Sequence, residues 1–157
     1  MNLFDAIFKN DLQAIKLAAK DLADINAKNK DGQTILCAAS FCGKFELVRY
    51  LVEELDADIN CKDNIKDTPL HKSAGRGNFE ISQYLIEKGA KINSKNKHGI
   101  TPLHFAVYFE HLEIVKLLVE NGANVKAQDN ERWTPLNLAK QFWHNDIMRY
   151  FKECGFF

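Results

Sequence analysis

One four-residue phrase recurs at a fixed step along this chain, and that recurrence limits the fold more than any other feature. Thr68-Pro69-Leu70-His71 returns as Thr101-Pro102-Leu103-His104 and, with one change, as Thr134-Pro135-Leu136-Asn137, while Thr34-Ile35-Leu36-Cys37 is a weaker copy. The threonines at 34, 68, 101 and 134 are therefore 34, 33 and 33 residues apart, a period that belongs to stacked repeat architectures. Other positions keep the same step. Phe45-Glu46-Leu47-Val48, Phe79-Glu80-Ile81-Ser82 and Leu112-Glu113-Ile114-Val115 coincide, as do Gly43 with Gly77, and Asp58-Ile59-Asn60 with Lys91-Ile92-Asn93 and Asn124-Val125-Lys126. Leu12-Gln13-Ala14-Ile15 and Asp24-Ile25-Asn26 match the second half of the unit. The expectation is one domain over residues 1–157 built of five units: 1–28, 29–62, 63–95, 96–128 and 129–157.

Each recurring residue has a physical role. Threonine followed by proline starts a helix, because the hydroxyl can accept a bond from an orphan amide and proline fits the first turn. From there Leu103, Ala106 and Val107 recur at helical spacing, and small alanines at Ala39, Ala74, Ala106 and Ala139 let a neighbouring helix approach closely. A second helix follows Gly43 or Gly77, carries Leu47, Val48, Leu51 and Val52, or Ile114, Val115, Leu118 and Val119, on its buried stripe, and ends at Gly89-Ala90 or Gly122-Ala123. A single helix pair cannot bury its apolar faces alone and must stack on the next. In the second unit Glu53-Glu54-Leu55-Asp56-Ala57 holds one extra residue and no glycine, which predicts a slightly longer helix and a different turn. The outer units read as caps: the first offers Asp5, Lys9, Asp11 and Lys16 to water, and the last places Trp143 where glycine is expected and ends in Phe156-Phe157.

The Asp-x-x-Gly-x-Thr-Pro-Leu-His phrase, followed by Gly-His-Leu-Glu-Ile-Val-like and Gly-Ala-Asn-Val-like segments, resembles the ankyrin repeat over essentially the whole chain. The resemblance implies an all-α solenoid of stacked helix-turn-helix units joined by β-hairpin-like turns, and a protein-binding role as scaffold, adaptor or effector. It also implies that His71 and His104 bridge backbone groups of their own turn and the next unit. Asn26, Asn60 and Asn93, which recur after the second helix, are suited to bond the backbone of the tight loop; in this family asparagines so placed can also be hydroxylated.

Composition narrows the function classes. Lys plus Arg and Asp plus Glu both total 21, so no net field draws the molecule to nucleic acid or an anionic membrane. The apolar runs are broken by charge far short of the roughly 20 residues a membrane span requires, and the acidic start Met1-Asn2-Leu3-Phe4-Asp5 lacks the basic, then apolar, pattern of a signal peptide. Irregularly spaced Cys37, Cys42, Cys61 and Cys154 read as reduced thiols of a cytoplasmic protein. Cys37 and Cys42 lie on different faces of one helix and lack the spacing of a zinc or redox pair, and Gly75-Arg76-Gly77-Asn78 is an inter-helix turn with no strand before it. No catalytic constellation, metal set or cofactor motif emerges, and the expected state is a monomer. A regulatory nucleic-acid binder, or a substrate for asparagine hydroxylation, is the alternative reading.

A partner site is sought among residues that packing leaves free. Lys28, Lys30, Lys62, Lys95 and Lys97 fall on hairpin tips, which turn to Gln128, Asn130 and Glu131 near the C-terminal end, while Glu46, Glu80, Glu113, Asp146, Glu53, Glu87, Glu120 and Glu153 fall on the second helices. On the free side of the first helices lie Phe41-Cys42, Gly75-Arg76, Tyr108-Phe109 and Gln141-Phe142, with Ile65, Ile100 and Trp133 leading in. Lys62, Ile65, Arg76, Lys95, Lys97, Ile100, Tyr108, Phe109, Trp133 and Phe142 are accordingly the expected partner-binding residues.

Overall fold

The computed structural model describes Phe4, Ile7, residues 12–20 and residues 24–157. Among them are nine helices and no strand: α1 (Leu12–Lys20), α2 (Ile35–Phe41), α3 (Phe45–Glu53), α4 (Pro69–Gly75), α5 (Phe79–Glu87), α6 (Pro102–Tyr108), α7 (Leu112–Glu120), α8 (Pro135–Gln141) and α9 (Asn145–Glu153). Each seven-residue first helix packs on the nine-residue second helix of its own unit and on the first helix of the next, giving two helical layers. Asp5, Lys9 and Asp11 lie outside the described residues, and Lys16 stands over the Tyr50 ring, its ammonium 5.1 Å from the centroid. At the other end Phe156 packs edge-on against Phe151 at 6.1 Å, while Trp143 is left 77% exposed.

The seam between first helices is the closer one, because the facing residues are small. Ala39, Ala106 and Ala139 are fully buried there. In unit three the residue five after the threonine is Ser73, not Ala74 as expected from the spacing. Its buried hydroxyl donates to the Leu70 carbonyl at 3.3 Å and accepts from Ser82 at 2.9 Å, so both hydroxyls are satisfied inside the apolar layer. The second-helix stripe is Leu47, Val48 and Leu51 in unit two and Ile114, Val115 and Leu118 in unit four, all buried.

Backbone chemistry sets the turns. Each hairpin is closed by two amide-to-carbonyl bonds: Asn29, Asp63, Asn96 and Asp129 donate to Gln33, Asp67, Ile100 and Trp133, and accept from Gly32, Lys66, Gly99 and Arg132. Neighbouring hairpins touch through the amides of Lys97 and Asn130, which donate to Ile65 and His98 carbonyls at 2.8 and 2.9 Å. Gly77 turns between α4 and α5 at φ +75°, and an added Cβ would lie 2.9 Å from the His111 ring, so this turn tolerates only glycine without adjustment. The extra residue of unit two does not lengthen its helix: α3 has nine residues like α5 and α7. The turn takes it up: Asp56, at φ 52°, holds the left-handed place of Gly89, and the amide of Ala57 reaches back one residue further, to the Leu51 carbonyl, than Ala90 does to Leu85.

Thr34, Thr68 and Thr134 cap their helices by accepting from the amides of Cys37, His71 and Asn137. The imidazoles complete the cap in units three and four. The amides of Thr68 and Thr101 each donate to Nδ1 of His71 and His104 at 3.1 Å, which leaves the ring hydrogen on Nε2. Nε2 then donates to the carbonyl of Ile100 at 3.0 Å and of Trp133 at 3.1 Å, in the following unit. Both rings are neutral bridges, and burial pushes each below the ordinary histidine value of 6.5 against the hydrogen bond to the carbonyl.

Two outcomes follow from this packing. Thr68→Ala removes a cap for roughly 1 kcal/mol, whereas Leu103→Ala, emptying a site 1% exposed, costs roughly 2 to 5 kcal/mol, as urea unfolding would read. Because the folded histidine values are depressed, the unfolded chain takes up protons first as the pH falls. The stability from His71 and His104 is thus present above the ordinary value of 6.5 and is lost below it. The double variant His71→Asn/His104→Asn, copying Asn137, should lose about 1 kcal/mol per bridge at neutral pH yet show a flatter decline in urea melts between about pH 5 and 7.

Candidate functional site

The hairpin of unit five and the first helices of units four and five enclose a groove of about 560 Å³. Its floor and walls include Ile100, Phe105, Tyr108, Phe109, Trp133 and Phe142, all but Phe105 among the expected partner-binding residues. The fold brings them together because Tyr108 and Phe109 end α6 and Phe142 caps α8, on helices that lie side by side. Tyr108 sits between the two phenylalanines, edge-to-face with Phe109 at 5.0 Å and with Phe142 at 5.1 Å. The three rings therefore pack across the unit boundary and still present surface: Tyr108 is 49% exposed, Phe109 50% and Phe142 45%. Trp133 is half-buried, held by the bond from His104 to its carbonyl. Asp129 and Glu131 line the same groove, and Asp129 spends one carboxylate oxygen on the amides of Glu131 and Trp133.

Phe105 and Phe109 also wall a second groove of about 570 Å³, one unit upstream, with Phe41, Asp67, His71, Lys72, Arg76 and His111. There the Arg76 guanidinium lies over the Phe41 ring, 4.7 Å from its centroid, a cation–π contact that fixes both. Beside its phenylalanine rings this lining holds a charged cluster centred on Lys72. Lys72 reaches Asp63 at 2.7 Å and Asp67 at 2.8 Å, with both carboxylates nearly buried, and Asn96 donates to the other oxygen of Asp67 at 2.8 Å. Burial opposes the charge on Lys72, but its hydrogen bonds to Asp63 and Asp67 outweigh that and hold the ammonium above its ordinary range.

The remaining expected residues lie outside the grooves. Lys62 and Lys97 are exposed on hairpin tips, and Lys95 donates to the Gln128 carbonyl at 2.6 Å. Ile65, 41% exposed, also sits at a tip and joins its neighbour by its backbone rather than leading into a helix. Four of the eight acids on the second helices, Glu46, Glu53, Glu113 and Asp146, form ion pairs. Glu46 and Glu53 pair with Arg49, Glu53 with Lys88, Glu113 with Lys116 and Asp146 with Arg149, exposed pairs worth little individually. The recurring asparagines bond the following unit's loop rather than their own: Asn26, Asn60 and Asn93 accept from the amides of Asp58, Lys91 and Asn124 at 2.8 Å each.

Sequence reasoning missed Phe105, the Lys72 cluster and a contact between Cys37 and Cys61. A register signal existed for the first two. Asp67 and Lys72 occupy positions that hold Ile100 and Phe105 in unit four, and Trp133 and Leu138 in unit five. A polar pair thus replaces an apolar pair at one step of the stack. Among the described residues no helix is long and apolar enough to cross a membrane, and no group of three or more His, Cys, Asp or Glu is placed to hold a metal ion.

Residues 3–96 match the family model for ankyrin repeats (3 copies), and residues 85–139 match that for ankyrin repeats (many copies). No curated protein matches the chain. Ankyrin repeats are in general protein–protein interaction modules. With the phrase, the two-layer stack and family models matching along most of its length, the chain belongs to the ankyrin-repeat family.

Proposed function

We propose that this chain is a non-catalytic adaptor, acting in the cytoplasm as a monomer and as one domain over residues 1–157, that binds a segment of another protein in the groove of units four and five. The observation that carries this reading is the convergence of Ile100, Tyr108, Phe109, Trp133 and Phe142 on one concavity, with three rings about half exposed although each packs on another. Rings held by their neighbours lose little freedom on binding, so covering them yields more affinity than covering mobile side chains. A buried aromatic anchor typically supplies about 2 kcal/mol or more, against roughly 0.2 to 1 kcal/mol for an exposed lysine pair.

The tips refine the partner's shape. Lys62, Lys95 and Lys97 lie on the upstream hairpins, whereas Asp129 and Glu131 border the groove itself. A partner with an apolar anchor in the groove and an acidic stretch running toward units two to four fits this polarity. Arg76 and Ile65 would contact the same stretch.

Two measurements test the reading. Proteins retained from native cells by the intact chain should fall by at least about 30-fold in affinity for Tyr108→Ala/Phe142→Ala, whose melting transition should drop by only a few degrees. Unchanged retention by that folded variant would remove the groove from consideration. Replacing Lys62, Lys95 and Lys97 by glutamine should mainly slow association and flatten its salt dependence in surface-binding kinetics, leaving dissociation nearly as before.

A further inference from the structure

Unit two departs from its neighbours at the position where they carry a bridging side chain. Cys37 stands where His71, His104 and Asn137 stand, and Cys61 stands where units three and four have Ser94 and Ala127. The two sulfurs lie 3.5 Å apart, and the Cys61 sulfur is 3.0 Å from the Thr34 hydroxyl that caps α2. Cys37 is fully buried and Cys61 is 7% exposed. Cys42, half-buried on α2's C-cap, and Cys154, exposed after α9, have no sulfur beside them among the described residues.

We propose that Cys37 and Cys61 are a covalent modification site, a dithiol that small hydroperoxides oxidise to an intramolecular disulfide. The sulfurs already touch, and bringing them to bonding distance requires a closure of about 1.5 Å, within reach of side-chain rotation and a small shift of the hairpin. The pair is also polarised. The Cys61 thiol hydrogen-bonds Cys37 and favours its thiolate against the opposing effect of burial, while Cys61, facing Cys37 and then burial, is held protonated.

The chemistry closes without a further reactant. The Cys37 thiolate attacks one peroxide oxygen; an S–O bond forms, the O–O bond breaks, and the departing oxygen leaves as water or alcohol after taking a proton. The Cys61 sulfur, giving up its proton, then attacks the Cys37 sulfenic sulfur; the S–S bond forms, the S–O bond breaks, and water leaves. Two thiols lose two electrons and two protons, and the hydroperoxide gains them. Burial restricts this to an oxidant of peroxide size admitted when the hairpin carrying Cys61 opens, so the reaction is slow beside that of a free thiol. The product ties the first turn of α2 to the turn that leads into unit three, where the Cys61 amide closes on the Asp58 carbonyl, a crosslink that restricts the unfolded chain over the intervening loop.

The test uses the full chain with Cys42→Ser and Cys154→Ser, leaving the two buried thiols. Under native conditions hydrogen peroxide should remove both from alkylation and give a monomer lighter by a pair of hydrogens, with Cys37 and Cys61 joined in one peptide pair. Dithiothreitol should restore both thiols, and the oxidised form should melt above the reduced one. Adding Cys61→Ser should stop the sequence at Cys37, trapped there by dimedone. The proposal is overturned if both thiols stay alkylatable while free cysteine in the same solution is consumed, if the bridge joins two chains, or if it forms only in denaturant.

Discussion

A hydrogen bond from an imidazole to a carbonyl one unit away sets the spacing on which this stack depends. His71 and His104 each close their own helix start with Nδ1 and hold the next unit with Nε2, so local folding and stacking share one side chain. Such a bond reaches its partner only if the first helices approach closely, which the small residues Ala39, Ser73, Ala106 and Ala139 allow. The asparagine bonds from Asn26, Asn60 and Asn93 repeat the device on the far side of the unit. Each layer is thereby fastened to the next by polar groups that are satisfied only in the stacked state.

The fastening changes partners along the stack, since unit two has Cys37 in place of the imidazole and joins unit three through Asn60, and further variation appears on the surface that it leaves uncovered. Unit three fills its place with the Asp67–Lys72 pair, unit four with Ile100 and Phe105, unit five with Trp133 and Leu138. The lining thus passes from charged to apolar over three steps on an almost unchanged backbone. A charged pair with nearly buried carboxylates, costly to desolvate, fixes the polar end firmly; half-exposed rings at the other end leave apolar surface uncovered.

The parts legible in the sequence were those with local causes. Thr-Pro starts, glycine turns and the apolar stripes depend on residues a few positions apart, and the period repeats each signal. The aromatic cluster was legible for the same reason, since Tyr108 and Phe142 occupy neighbouring register positions one unit apart. The contacts that went unread join elements whose meeting is decided by the turn geometry: Cys37 with Cys61 across unit two, Asn96 with Asp67, and Glu53 with Lys88. Charge counting alone suggested a segregated surface, but it could not show that Glu46, Glu53, Glu113 and Asp146 already hold cations from their own and adjacent helices.

The accommodation at Asp56 bears on how such a chain can change its length. An additional residue within a helix would rotate every following side chain by about 100°, and one in the hairpin would displace the bonds that join adjacent tips. In the turn behind α3 it is instead absorbed without a new left-handed residue, because Asp56 holds the place that Gly89 and Gly122 hold before the closing alanine, and the bond from Ala57 to Leu51 closes over it. That turn acts as an expansion joint: insertions placed there leave the phase of the stack, and with it the groove lining two units away, undisturbed.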